Sequence, residues 1–520
     1  MSTLISSSSS KPVPTIMASS AIPFPMPPCP GRIFGTTPQV LETAGTLLRL
    51  VQLNSILPQS SKREQMIESL KAVGGNAQKC LSASSPETAK EAIRQGFEAL
   101  NASWGEGSST RLYSIYNLDL SSAATAQDLQ RVVLRLLKDT ASLLIPPAQK
   151  SDRGVNGPTL LISHLRLNNT FNRSYLNSYV VKWINWNEFL TTKIYRAYSK
   201  FFAKEGVSPF LVPEFASLNF ETRMHEMTDG SQVAISTKMV DPLKDTFLVI
   251  AKTINPELTP TKKIILFSER VVGENLFDFA RHKYQHLSLE QKPKLFIQLG
   301  QLALLDMLIG NADRLIRFEY DFRKAKFRLE KGESNLGNLM VSWCGNISSD
   351  TDADSTPSEQ IQTNPILYAI DNGIGTGNLK SPLIEDASQR KKYLEFLDKR
   401  LNSPKPKRLN NVAKAMTASI QADLDRTAEE TANTPSERPL GSIKAQLQPF
   451  SDDLNTWGPK AFQKGFIEML TLLRTQKLPS WESEQTQFPP EESKQASSNT
   501  RLKEAVLERF KIIQPAGKQL

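Results

Sequence analysis

The hydrophobic period of this chain changes twice along its length, and that change limits the folds open to it. From about residue 37 to 148, apolar residues recur at three- and four-residue spacing, as amphipathic helices require. Four such stretches lie around Val40 to Leu57, Glu64 to Val73, Pro86 to Leu100 and Ala126 to Leu144. Thr37-Pro38 and Ser85-Pro86 each set a capping hydroxyl before a proline at the first helical position. Past a polar, turn-rich segment at 151–158 (SDRGVNGP), short β-type runs take over: TLLISHLRL, SYVVKWI, FLVPEFASLNF, QVAISTKMV, TFLVIAKTI and KKIILFSERVV. One long helix, from near Asn187 to about Lys204, interrupts them. From Leu289 onward the pattern is mainly helical, as in LEQKPKLFIQLGQLALLDMLIG and PKAFQKGFIEMLTLLR. A β-rich part followed by a helical part predicts a two-lobed α+β arrangement behind an all-helical amino-terminal domain.

These boundaries divide the 520 residues into a Ser/Pro-rich leader at 1–36 and a helical accessory domain at 37–150. A β-rich lobe at 155–288 and a helical lobe at 289–480 follow, the second carrying an acidic surface insert at 345–364. A linker and terminal helix occupy 481–520. The leader is too poor in apolar residues to offset the entropy of ordering, which predicts disorder. It lacks the basic start and continuous apolar stretch of a cleaved signal peptide. Ser-rich leaders of this kind resemble those of bacterial effectors exported by specialised secretion systems. The expected place of action is therefore a cytoplasm, the cell's own or a host's.

Hydrophobic content is 39%, and no apolar run approaches the roughly 20 residues a membrane span needs. The surplus of 63 basic over 53 acidic residues is spread along the chain, so it makes no case for nucleic acid as a partner. Cys29, Cys80 and Cys344 lack CxxC spacing, which excludes a disulfide framework and a structural zinc site. His164, His225, His282 and His286 show no ligand spacing, and neither G-x-S-x-G nor H-E-x-x-H occurs.

Three segments carry polar groups at the borders of apolar runs. In IGNADRL (309–315), Asp313 follows a long apolar helix. In SNLGNLMV (334–341), Asn338 leads into a short strand, and in LYAIDNGIG (367–375), Asp371 ends one. In that order they supply a carboxylate able to accept a hydroxyl proton, then an amide oxygen and a second carboxylate suited to a hard divalent cation. Upstream, Lys182 closes a β-branched run and Glu188 falls in the first turn of the long helix, a pairing that suits phosphate binding. Lys252 in FLVIAKT sits in a similar run, but Asn255, Pro256 and Pro260 follow it and no helix brings a partner. Each piece alone has an ordinary reading as a cap, a turn or an edge charge. Their order sets them apart.

GNADRL, NLGNLMV and AIDNG together resemble the catalytic segment of the actin-fragmin kinase family, atypical relatives of protein kinases and of phosphatidylinositol kinases. The resemblance implies a protein-kinase-like fold over roughly residues 155–475 that uses ATP with Mg²⁺ or Mn²⁺. It implies transfer of the γ-phosphate to a Ser/Thr hydroxyl of a protein acceptor, with actin an acceptor by family analogy only. Asp313 is then the catalytic base, Asn338 and Asp371 are metal ligands, and Lys182, held by Glu188, orients the phosphates. KKIILFSERVV becomes the strand running into the hinge, so that adenine meets main-chain groups of Leu266, Phe267, Ser268 and Glu269.

Three departures accompany the match. Asp-Asn-Gly stands where ordinary kinases have Asp-Phe-Gly. Residues 314–337 separate Asp313 from Asn338, whereas ordinary kinases place the Asn close behind the Asp. The segment LRLNNTFNRSYLNSYVVK has no Gly, which leaves Asn172 and Ser174 to contact phosphate. Alternatives on the same fold are a lipid or small-molecule kinase, a catalytically weak pseudokinase scaffold, and transfer of AMP.

Overall fold

A seven-stranded antiparallel sheet with one long helix against it is the frame that presents the upstream candidates. The computed structural model describes most of residues 85–142, 174–226, 264–343, 364–370, 386–475 and 494–513, with shorter stretches at 48–75, 148–150, 159–167, 232–234 and 244–252. The leader, Thr37-Pro38, Asn172 and the acidic insert as far as residue 363 lie outside the described residues.

The amino-terminal helices α1 (Pro86–Trp104), α2 (Ser108–Tyr116) and α3 (Ala126–Ser142) follow helical residues within 48–53 and 67–75. Pro86 opens α1 as its sequence predicts, although the Ser85 hydroxyl meets Thr88 Oγ1 at 3.3 Å instead of a main-chain donor. The sequence pattern does not separate α2 from α1; Gly105, at φ +97, breaks them apart. Leu50, Leu70, Ile93, Phe97, Leu112 and Val133 close an apolar core belonging to these helices.

The sheet comprises β1 (Ala148–Lys150), β2 (Thr159–Leu167), β3 (Ser174–Ile184), β4 (Phe215–Asn219), β5 (Met224–Glu226), β6 (Gln232–Ala234) and β7 (Ile264–Glu269). Its order is β1-β2-β3-β7-β4-β5-β6. Helix α4 (Trp186–Lys204) covers one face, where Ile184, Trp186, Phe189, Phe215, Ile264 and Leu266 are buried together. Burying each of these large side chains contributes about 1.5–3 kcal/mol. The run TFLVIAKTI, expected as a strand, is instead helical at residues 248, 249 and 252. A short apolar run does not reveal its period, which explains the difference.

Beyond the sheet lie β8 (Glu274–Asn275), α5 (Leu276–His282), α6 (Gln291–Ile309), β9 (Arg317–Asp321), β10 (Lys326–Glu330), β11 (Leu339–Ser342) and β12 (Ile366–Ala369). Among the described residues, α7 (Ala387–Leu401), α8 (Pro406–Ala432), α9 (Leu440–Thr456), α10 (Gly458–Thr475) and α11 (Lys494–Ile513) follow. The architecture is α+β. Helix α6 is buried on nearly every side, as a helix apolar all round must be. It touches α10 backbone to backbone: a Cβ on Gly300 would stand 2.4 Å from Phe462 O, and one on Gly465 would stand 2.3 Å from Ile297 O. Leu211, expected within a strand, lies between α4 and β4 and pairs with β12, with Leu211 N on Leu367 O at 2.7 Å and Ala369 N on Leu211 O at 2.8 Å. Among the described residues no helix is long and apolar enough to cross a membrane.

Candidate active site

β3 runs into α4 through Asn185, and that junction builds the first half of the site. The Asn185 side chain accepts a hydrogen bond from Glu188 N at 2.8 Å, the usual way of capping the free amides of a first turn. Glu188 is thereby set over the end of β3, where its carboxylate receives Lys182 Nζ at 2.5 Å. The two side chains are only 13% and 10% exposed. Lys182 stands opposite Thr159 on one side and Leu266 on the other. Directly opposed residues share a face of the sheet, so Lys182 looks toward the α4 side, where Leu266 is buried. Lys252 is exposed on helical backbone, away from any such arrangement.

The second half is held by main-chain bonds. Asn338 ends a 3₁₀ turn, Leu336–Asn338, and is partly exposed where the chain enters β11. Its carbonyl accepts from Ile370 N at 3.1 Å, continuing the β11–β12 register of Leu339 with Ala369. Ile370 O in turn accepts from Arg314 Nη2 at 3.3 Å, and Arg314 O accepts from Asn335 N at 2.9 Å. Asn338, the residue after Asp313 and the residue before Asp371 are therefore joined in one hydrogen-bonded chain. Asp313 and Asp371 themselves lie outside the described residues.

Arg314 is the centre of this arrangement. Fully buried, it pairs with the equally buried Asp306 at 2.9 Å. The Tyr195 hydroxyl donates to the same Asp306 oxygen, and Asn311 Nδ2 donates to the Tyr195 hydroxyl at 3.4 Å. Burial, reinforced by the Asp306 charge, pushes the Tyr195 pKa well up, so the phenol stays a neutral donor. Tyr195 belongs to α4, two turns and about 10 Å beyond Glu188. One helix thus carries both the partner of Lys182 and the support of the loop after α6. From the other side, Asp423 of α8 accepts from Leu336 N at 2.8 Å, and Ser419 O accepts from Ser334 N at 3.2 Å, fixing the turn that delivers Asn338.

Register bears on two expectations for the nucleotide. Ser174 pairs with Leu167 at one end of the β2–β3 hairpin, while Lys182 pairs with Thr159 at the other. Eight residues of strand span about 27 Å, too far for both to meet one triphosphate. Lys150, which pairs with Leu160, and Thr159, which pairs with Lys182, lie at the Lys182 end of the hairpin. Leu266, Phe267 and Ser268 have β3 on one side and β4 on the other, so their main-chain groups are taken up by the sheet. Glu269, the last residue of β7, pairs with Tyr179 on β3.

The long interval between Asp313 and Asn338 is a hairpin, β9–β10, paired from Arg317–Glu330 to Asp321–Lys326. Its Phe318 and Phe327 pack against Tyr393 and Phe396 of α7. Asp306, Arg314, Tyr195 and Asp423 were not picked out by motif. One signal was present: Asp306 is a lone carboxylate inside QLALLDMLI, and a charge in an apolar helix demands a buried partner. No protein-family model matches the chain, and no curated protein matches it in sequence.

Proposed function

We propose that this chain is an ATP- and Mg²⁺-dependent kinase of the actin-fragmin kinase type, transferring the γ-phosphate to a Ser/Thr hydroxyl of a protein acceptor. Residues 155–480 would form a two-lobed, protein-kinase-like unit. The amino-terminal helices would be an accessory that recruits a partner, and the place of action would be the cytoplasm. One observation carries the reading. The chain Arg314–Ile370–Asn338 draws together the three segments that the sequence singles out for catalysis, while α4 links them to the Lys182–Glu188 pair.

Lys182, fixed by Glu188, holds the phosphates as a point charge. Adenine meets main chain at Glu269, the end of β7. Asn338 and Asp371 offer hard oxygens only, which fits Mg²⁺ or Mn²⁺ and not a thiolate- or imidazole-bound metal; such an ion, when bound, offsets phosphate charge. Asp313 orients the acceptor hydroxyl and takes its proton as that oxygen bonds to the γ-phosphorus. The bond from that phosphorus to the β–γ bridging oxygen breaks, and ADP leaves.

The test is ATP labelled at the γ- or the α-phosphate, incubated with a cell lysate and purified wild type beside Asp313→Ala and Asp371→Ala. Wild type should move γ-label to protein, with the variants down by about 10³-fold or more and no α-label transferred. Equal labelling by all three contradicts the proposal. Transfer of α-label points to AMP transfer, and labelled vesicle lipid without labelled protein points to a lipid kinase.

A further inference from the structure

The carboxy-terminal helix α11 lies far in sequence from every candidate residue, yet it reaches the loop that follows α6. Its buried stripe is Ala505, Val506, Arg509, Phe510 and Ile513. Among these apolar residues Arg509 is a full charge, 1% exposed. Its Nη1 donates to Ile309 O, the last residue of α6, and its guanidinium lies 5.0 Å from the centre of the Tyr393 ring.

The last carbonyls of a helix have no partner within it, and that end carries negative partial charge. Here each outside partner is specific. Asp306 O takes the amides of Gly310 and Asn311 at 2.8 and 2.7 Å, Met307 O takes the Tyr393 hydroxyl at 2.6 Å, and Ile309 O takes Arg509. Gly310 is left-handed at φ +89, and the space a Cβ would need is filled by Arg509 Nη1, 2.7 Å away. The residue after Arg509 packs on a different element: Phe510 stacks on Tyr198 of α4 with centroids 4.6 Å apart and planes 4° from parallel. The stretch 310–314 is thus pinned at its start by Arg509 and at its end by Arg314.

We propose that Arg509 is a positioning residue for phosphoryl transfer: its bond to Ile309 O, and not the packing of the carboxy-terminal helix as such, sets the loop bearing Asp313 without taking part in nucleotide binding. The inference rests on the kinase reading above. The nucleotide grip, Lys182 with Glu188, is made between β3 and α4. Loss of the Arg509 contact therefore lowers the rate of transfer and leaves the affinity for ATP in place. A residue that only filled the core would lower stability and leave the rate per folded molecule unchanged.

The test uses the full chain with Arg509→Met, which keeps bulk and removes the charge, Arg509→Lys, which keeps the charge, and Phe510→Ala as a packing control. Initial rates of γ-phosphate transfer into a fixed lysate are followed against ATP concentration, with thermal melting of each protein. Arg509→Met should lose about 10²-fold in maximal rate, as misplacement by about 1 Å does, with the KM for ATP within about threefold of wild type. Arg509→Lys should recover part of the rate. The proposal is overturned if Arg509→Met keeps the wild-type maximal rate, or if Phe510→Ala at an equal loss of melting temperature loses as much rate. An inactive wild type would instead remove the kinase reading itself.

Discussion

The two halves of the site are built by opposite means. At the sheet, Lys182 and Glu188 meet side chain to side chain across a strand–helix junction. At the helical half, Asn338 and the neighbours of Asp313 and Asp371 are set by main-chain bonds whose far ends are the buried polar side chains of Arg314 and Asp423. The first half depends on two residues that a reader of the sequence can name. In the second, the named residues depend on Asp306, Tyr195 and Asp423, which no motif contains, and on Arg314, whose role its motif does not disclose. Substitutions should therefore behave differently in the two places, through ligand affinity in one and through the fold in the other.

Arg314→Ala is expected to have the largest effect on the protein itself. It leaves Asp306 charged in a dry interior and frees the Ile370 carbonyl, and breaking such a buried pair costs about 3–5 kcal/mol. A denaturant titration should show that loss in the unfolding midpoint, and a stability within 1 kcal/mol of wild type, an order-of-magnitude bound, would mean the second half is not held from within. Glu188→Gln keeps the bulk and an acceptor oxygen for Lys182, so its effect should appear mainly in binding. Calorimetry with Mg-ATP should then give an affinity roughly tenfold weaker, the equivalent of about 1.4 kcal/mol, with the melting temperature little changed. A large fall in melting temperature at unchanged affinity would reverse the contrast between the halves.

What the sequence disclosed follows the same division. The strand-to-helix junction is legible because Asn185 caps, Glu188 follows three residues later, and Lys182 ends a run of β-branched residues. Register and strand order are not local properties. Nothing in LRLNNTFNRSYLNSYVVK says that Ser174 and Lys182 end at opposite ends of one hairpin. KKIILFSE likewise does not disclose that β3 and β4 enclose it on both sides. That Leu248, Val249 and Lys252 are helical is hidden because the apolar run of TFLVIAKTI has neither clear period. Arg314 stood in the motif next to Asp313, but its role is defined by Asp306, Tyr195 and Ile370, which come together only in three dimensions.

The central claim is that both halves serve one ligand, and Mn²⁺ as a spectroscopic stand-in for Mg²⁺ tests it directly. Electron paramagnetic resonance titration of Mn²⁺ with ATP should reveal a protein-bound, ATP-dependent Mn²⁺ in the wild type. Lys182→Ala, changed in the sheet, and Asp371→Ala, changed some 190 residues later, should each weaken that same site by about tenfold or more. If either variant binds Mn²⁺ and ATP as the wild type does, the halves do not share a triphosphate.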